Sequence, residues 1–576
     1  MTTHRMHDPA STRLLACALA AALAAAAGCA GHAGAGAPAD ASHAMHAHAS
    51  APRRVVPEGA GAPLFNDLGA FRRATSARGA LAPRYFDQGL LLAYGFNHAE
   101  AHRSFAEASR QDATCAICAW GEALVLGPNI NKPMDPADAE AAVEASRRAL
   151  ALAANASDVE RALIEALAVR YEAPAPDDRS RLDAAYADAM RDVAARFPDD
   201  DDVQTLFAES LMDTMPWDYY ESPATPRAAT REIVAALERV MERSPEHPGA
   251  LHLYIHAVEP SDAPERAEPA ADTLGGLAPG AGHLVHMPSH VYLRIGRYAD
   301  ASAANELAAA ADESYITQCR AQGFYPAAYY PHNIHFLYAS AAFEGRSAVS
   351  IAAARKLSAA MEPEVVAAVP VVEEFVPMEL YALVRFGRWE EILAAQAPPP
   401  EQRYATGAWR FARGMAHAAL DRPAAAQREL AMVLGIAAEP GASALVFTSG
   451  ATPAQLLGIG ADVLHARIAL EAGRHEEAID ALEAAVAAQD ALPYTEPPPW
   501  YAPVRETLGA ALLAAGRPGE AEAVFAEQLA HTPRNGWTLQ GLVASLEAQG
   551  KDASEERRAL EAAWERADFA LDAPVL

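Results

Sequence analysis

The sequence predicts an all-α protein assembled from repeated helix-turn-helix units, and three observations lead there. Hydrophobic residues fill 51% of the 576 positions, yet aromatic residues only 7%. The apolar share is mostly Ala, with Leu second; both lead the helix scale and are poor or ordinary in strands. From about residue 80 onward, amphipathic segments of roughly 10–15 residues alternate with Gly, Pro and Asp punctuation, and no stretch keeps a period of two. One pattern of small and large residues also recurs along the chain, which is the mark of a repeat architecture. The 46 basic residues stand against 75 acidic ones, for a formal net charge of -29. That balance argues against binding duplex DNA or an anionic membrane, both of which attract basic patches.

The chain begins with an address. Arg5 and Arg13 precede an apolar run, Leu14 to Ala27, of export-signal length and short for a membrane span. Ala26-Ala27-Gly28-Cys29 resembles a bacterial lipobox, in which Cys29 is lipidated. Ala26 departs from that pattern, where Leu is usual, and an ordinary signal peptide cut nearby is the alternative. Residues 1–28 are therefore expected to be removed, and the protein to be exported to the periplasm or cell envelope, touching the membrane only through a lipid at Cys29. Residues 29–79 read as a disordered Ala- and His-rich tether. His32, His43, His46 and His48 in it are either loose metal ligands or incidental polar residues.

The helical body repeats most clearly between Tyr501 and Pro533, where Leu508, Gly509, Leu512, Gly516, Ala521, Phe525 and Pro533 mark two helices and their turns. Trp537, Gly541, Leu542 and Gly550 begin another copy. Gly414, Ala426 and Leu430 mark an earlier one, as do Ala466, Gly473, Ala478 and Leu482, and also Gly89, Leu92, Ala101, Phe105 and Ala108. Small residues let paired helices approach, and Gly turns the chain. Together these units resemble tetratricopeptide (TPR) repeats over most of 80–565; a non-repeating α-bundle is the alternative. The resemblance implies a right-handed superhelical solenoid whose concave groove, lined by the first helix of each pair, binds peptides or partner proteins, usually without enzyme activity. Two regions are expected: 80–365, with a His-lined groove, and 366–576, an array of C-terminal repeats.

Histidine carries the functional hint. His252 and His256 lie one helical turn apart, and the same spacing recurs 34 residues later at His286 and His290. By the TPR register, His283, His286, His290, His332 and His335 face the groove with them, and Glu209, Asp213, Glu259 and Glu306 are candidate carboxylate partners. Pro288 either kinks the helix carrying His286 and His290 or opens a new one. Two imidazoles one turn apart can chelate a transition metal, and the donor set suits Zn, Cu, Fe or Ni. The other readings are recognition of an anionic ligand without metal, and hydrogen-bonded structural histidines. Leu253 follows His252, so no zincin motif is present.

Cys115 and Cys118 have CxxC spacing but are followed by Ala119 rather than His, which excludes haem attachment; they read as small packed helix residues or a local disulfide. Phe96-Asn97-His98 falls in the first turn, where Asn97 and His98 suit helix capping. The aromatic clusters at Met215–Tyr220 and at Tyr325, Tyr329 and Tyr330 read as groove walls or as gap-fillers in an Ala-rich scaffold. Arg294 and Arg320 read as contacts for an anionic ligand or as partners of surface acids. No nucleotide-binding loop or hydrolase elbow occurs. The leading expectation is a cell-envelope binding protein that holds a transition metal, or a ligand through it. The alternatives are a metal-free peptide- or protein-binding scaffold and a metal-dependent enzyme whose metal-bound water is the nucleophile.

Overall fold

The computed structural model describes residues 54–319 and 323–570. The expected signal segment, Cys29, most of the tether and Arg320 lie outside the described residues. The fold is all-α: helices dominate, and the strands among the described residues are two short antiparallel hairpins, Arg54–Val55 with Leu64–Phe65 and Tyr220–Ser222 with Thr225–Pro226. No helix among the described residues is long and apolar enough to cross a membrane. The chain divides into two compact units, Met1–Pro288 with Leu307–Tyr329, and Ser289–Glu306 with Tyr330–Leu576. The break expected between 365 and 366 falls inside the second unit, where helices Ser347–Ala360 and Met378–Arg385 on either side of it pack together.

In the first unit the pairs are Ala82–Tyr94 with His98–Gln111, Ala116–Leu124 with Ala139–Leu152, Asp158–Leu167 with Ser180–Arg196, Asp201–Met212 with Ala228–Arg243, and Pro248–Val258 with Glu268–Leu274. Only the first of these has a tight internal turn. Phe96 takes it with φ 56°, and Asn97 N–H donates to the Leu92 carbonyl at 2.9 Å. The other four pairs carry long internal links, and one of them holds the second hairpin.

Residues 54–79 are not a tether. Leu64 and Leu68 are buried, the Tyr85 hydroxyl donates to the Ala62 carbonyl at 2.5 Å, and Gln88 Nε2 donates to the Pro63 carbonyl at 3.0 Å. Arg73 reaches Asp200 at 2.8 Å and Asp202 at 2.6 Å with its side chain almost wholly enclosed. Composition misled here: the short apolar run around Leu64 and the paired charge of Arg73 supply enough contact to order an Ala- and Gly-rich stretch.

The second unit is more regular. Its helix pairs include Tyr330–Phe343 with Ser347–Ala360, Met378–Arg385 with Trp389–Ala394, Arg403–Ala419 with Pro423–Ala437, Pro453–Glu471 with His475–Asp490, Val504–Ala514 with Pro518–His531, and Gly536–Ala548 with Ser554–Ala563. Tight turns recur inside these pairs. At Gly516, φ is +73°, and the next N–H, of Arg517, closes back on the Leu512 carbonyl at 2.9 Å. Arg346, Arg388, Arg422 and Arg474 donate to Ala341, Leu383, His417 and Ala469 in the same way. This six-to-one bond satisfies a helix-end carbonyl and needs a left-handed residue before it, which is why Gly recurs at that position.

One packing device is common to both units. Phe105 is held between Gly89 and Gly121, and Phe525 between Gly509 and Gly541, at the same sequence spacing. A Cβ on Gly121 would lie 2.3 Å from the Phe105 ring, and one on Gly541 2.2 Å from the Phe525 ring. The ring therefore sits directly on helix backbone, the close approach that the TPR-like pattern of small residues requires.

Candidate metal centre

The site in the first unit begins with a cap. His247 precedes helix Pro248–Val258, and its Nδ1 accepts the Ala250 N–H at 3.1 Å, while Pro248 occupies the first turn, where a missing N–H costs nothing. His252 and His256 then share one face of this helix. Gly249 lets the helix close on helix Ala82–Tyr94, since a Cβ there would be 2.6 Å from the Tyr94 ring. That approach brings His252 Nδ1 to 2.6 Å from the Tyr94 carbonyl, one of the oxygens a helix C-terminus leaves without an intrahelical donor. The imidazole N–H donates to it. The tautomer is thereby fixed, with the lone pair on Nε2, the state a metal ligand requires.

His283 is the third member. Pro288 opens helix Pro288–Ile295, and the preceding short helix, Gly282–His286, carries His283 and His286. The His283 N–H donates to the Tyr325 hydroxyl at 3.1 Å, which donates in turn to Asp312 Oδ1 at 3.0 Å. One ligand atom from each of His252, His256 and His283 lies within 4.8 Å of the others, and all three residues are buried. The Phe96 ring packs against all three, at 4.6 Å from His252, 5.4 Å from His283 and 6.0 Å from His256. Trp217 meets His256 edge-on at 5.1 Å, and Tyr329 lies 4.6 Å from His283. Glu259, at the end of the helix and about as enclosed as His256, places a carboxylate oxygen 3.5 Å from His256 Nδ1. His286 stacks on His283 at 5.8 Å.

The other expected carboxylates serve elsewhere. Asp213 accepts from Arg170 Nη2 at 2.6 Å, with both side chains buried. Burial pushes Glu209 up to about 7 against the pull of Arg170. It raises Asp213 as well, where repulsion from Glu209 adds to the effect and Arg170 opposes it. These two acids share a buried guanidinium, which also lies 4.6 Å from the Tyr186 ring. The groove register that placed them with the histidines ignored Arg170, which the link after helix Asp158–Leu167 delivers. Glu306, in the second unit, is exposed and pairs with Arg346 at 2.9 Å.

Three of the predicted histidines belong to the second unit. His290 and His332 face each other, with their Nε2 atoms 3.4 Å apart. His335 is buried beside Phe375 and Tyr338, at 5.5 and 6.0 Å, and burial pushes it down to about 4, so it is neutral at pH 7. It lines a cavity of about 350 Å³ walled by Tyr381, Trp500 and Tyr501. One functional candidate escaped the sequence reading: Glu496 places Oε2 3.4 Å from His290 Nδ1. The available signal was its setting, Tyr494 to Tyr501, a Pro- and aromatic-rich stretch far longer than the tight turns around it.

The remaining expectations resolve locally. Asn97 caps helix His98–Gln111 by accepting the Glu100 N–H at 3.4 Å. His98 is pushed down to about 3, first by burial and then by Lys132 and Arg170. Cys115 caps helix Ala116–Leu124, and its sulfur lies at bond distance, 2.00 Å, from that of Cys118.

No protein-family model and no curated protein matches the chain. Among solved structures it is similar to a human IFIT1 dimer with m7Gppp-AAAA, at 9% identity over 87% of this chain and 92% of that one, with a TM-score of 0.29. It is also similar to the TPR domain of P58(IPK), at 14% identity over 76% and 98% with a TM-score of 0.19, and to the Cut9–Hcn1 hetero-tetramer of the APC/C, at 12% over 84% and 90% with a TM-score of 0.28. At such scores the TPR-like description rests on this chain's own helix pairs and turns.

Proposed function

We propose that this is an exported helical-repeat protein that binds a transition-metal ion through His252, His256 and His283. The observation that carries the reading is the convergence of three buried imidazoles, one of them held in its metal-binding tautomer by the Tyr94 carbonyl. A tetrahedral ion with metal–nitrogen bonds of about 2.0–2.1 Å holds its nitrogens about 3.3 Å apart, inside the 4.8 Å within which the three ligand atoms lie. Three nitrogens leave one coordination position for water or for a ligand held through the metal. Glu259 is suited to orient His256 as a carboxylate partner, an arrangement that raises ligand basicity. Zn, Cu, Fe and Ni all accept this donor set.

Metal content separates this reading from its rivals. Purified protein exposed to Zn²⁺ and desalted should hold zinc that the His252→Ala/His256→Ala variant loses in part. Equal zinc in both proteins would eliminate the triad as the site. For localisation, we propose lipid anchoring at Cys29, which predicts incorporation of a palmitate analogue that Cys29→Ala abolishes; labelling of the variant at the parent's level would rule it out.

A second reading, a scaffold for peptides or partner proteins, draws on the cavity of the second unit, whose aromatic walls and neutral His335 suit a ligand with both apolar and hydrogen-bonding groups.

A further inference from the structure

We infer that the second unit carries its own transition-metal site, in which His290 and His332 are the ligands, through Nε2, and Glu496 is the positioning residue that orients His290 through Nδ1. The inference shares no ligand with the triad and stands or falls separately from it.

The three residues come from distant parts of the sequence. His290 lies on helix Pro288–Ile295, His332 on helix Tyr330–Phe343, and Glu496 in the link between helices His475–Asp490 and Val504–Ala514. The His290 and Glu496 side chains are 3% and 4% exposed, so a carboxylate has been carried into an enclosed site to stand beside an imidazole. An enclosed carboxylate needs compensation. Part of it is visible: the Tyr494 hydroxyl donates to Glu496 Oε1 at 2.6 Å, and Arg294 stands 3.8 Å from the same oxygen. Oε2 is the oxygen turned to His290 Nδ1, at 3.4 Å.

A carboxylate facing Nδ1 favours the tautomer with its proton there and the lone pair on Nε2. Carboxylate–histidine–metal triads use this relay to orient and strengthen a ligand. The His290 Nε2 atom so prepared faces His332 Nε2 at 3.4 Å, the separation that two nitrogens take around one tetrahedral ion, about 3.3 Å. Phe336, one helical turn beyond His332, packs on both rings, at 4.4 Å from His290 and 4.9 Å from His332, and limits their rotation. Two nitrogen ligands with no thiolate select the same class of ion as the triad, and the ion's remaining positions fall to water or an external ligand. The competing arrangement is a plain hydrogen bond, with His332 Nε2–H donating to His290.

The test counts ions on the full chain. Parent protein, His332→Ala and His252→Ala/His256→Ala are loaded with Zn²⁺ and desalted, zinc per chain is measured, and circular dichroism verifies the helical fold. The expected result is two zinc ions in the parent and one in each variant. A parent with one ion that His332→Ala retains overturns this inference, and leaves the triad standing if the double variant loses that ion. A parent with one ion that His332→Ala loses and the double variant keeps overturns the triad instead. No zinc in the parent overturns both, and one ion lost by either variant overturns the separateness claimed here. Glu496→Gln preserves the shape and should weaken one ion about 10–100-fold in chelator competition, with partial recovery in Glu496→Asp. With Co²⁺ as probe, Glu496→Gln should shift the visible absorption of one site alone; an unchanged spectrum and affinity would overturn the role of Glu496.

Discussion

The two units place their irregular chain at opposite points of the same repeat. In the first, four of the five pairs carry long links inside the pair, while the connections between pairs are short. In the second, the turns inside pairs are tight and left-handed, and the long stretches, such as the one holding Glu496, fall between pairs. In both, the irregular chain brings in side chains that the helices alone do not: Trp217, Arg170 and Arg73 in the first unit, Glu496 in the second. A helix-pair scaffold supplies regular positions, and the departures from it supply charge and specificity.

The largest expected effect tests the first unit's dependence on buried charge. Arg170→Ala strands Asp213 and Glu209 around an empty place and should cost about 3–5 kcal/mol in urea unfolding; a loss below about 1 kcal/mol would show the link to be ornamental. The shared Gly–Phe–Gly device comes next. Gly121→Ala and Gly541→Ala each force a methyl into a phenyl ring and should cost about 1–3 kcal/mol. Similar losses would mark the device as equally tight in both units, and a loss confined to one would show that the other relaxes. Smaller still, Gly516→Ala has open space around its Cβ but a left-handed backbone, so about 1 kcal/mol is expected from conformation alone. A neutral result would mean that the turn re-forms in another conformation.

A different kind of effect is a pH dependence in the second unit. The His335 value is lowered in the folded state, to about 4, against about 6.5 unfolded. Between these values the unfolded chain binds the extra proton, so stability should fall as pH drops from 6.5 toward 4 and level off below that. His335→Phe should flatten this slope in thermal unfolding; an unaltered slope would assign it to other groups.

Much of the scaffold was legible in the sequence because it rests on local rules: Gly296, Gly345, Gly473 and Gly516 mark turns, and Gly509, Phe525 and Gly541 mark close packing. The histidines were legible as residues, yet their partners were not. The 34-residue offset pairs His252 and His256 with His286 and His290, but in the first unit it is His283 that joins them, because Pro288 interrupts the helix on which that periodicity depended. Glu209 and Asp213 were assigned by register alone, and register does not reveal Arg170. Residues 54–79 looked structureless because a few anchoring contacts leave little mark on composition.

The most direct measurement is X-ray absorption at the zinc edge of the loaded, desalted protein. Zinc bound at the His triad predicts nitrogen and oxygen neighbours at about 2.0–2.1 Å, with outer-shell scattering from imidazole rings that diminishes in His252→Ala/His256→Ala. Sulfur neighbours at about 2.3 Å, or imidazole scattering undiminished in that variant, would contradict it.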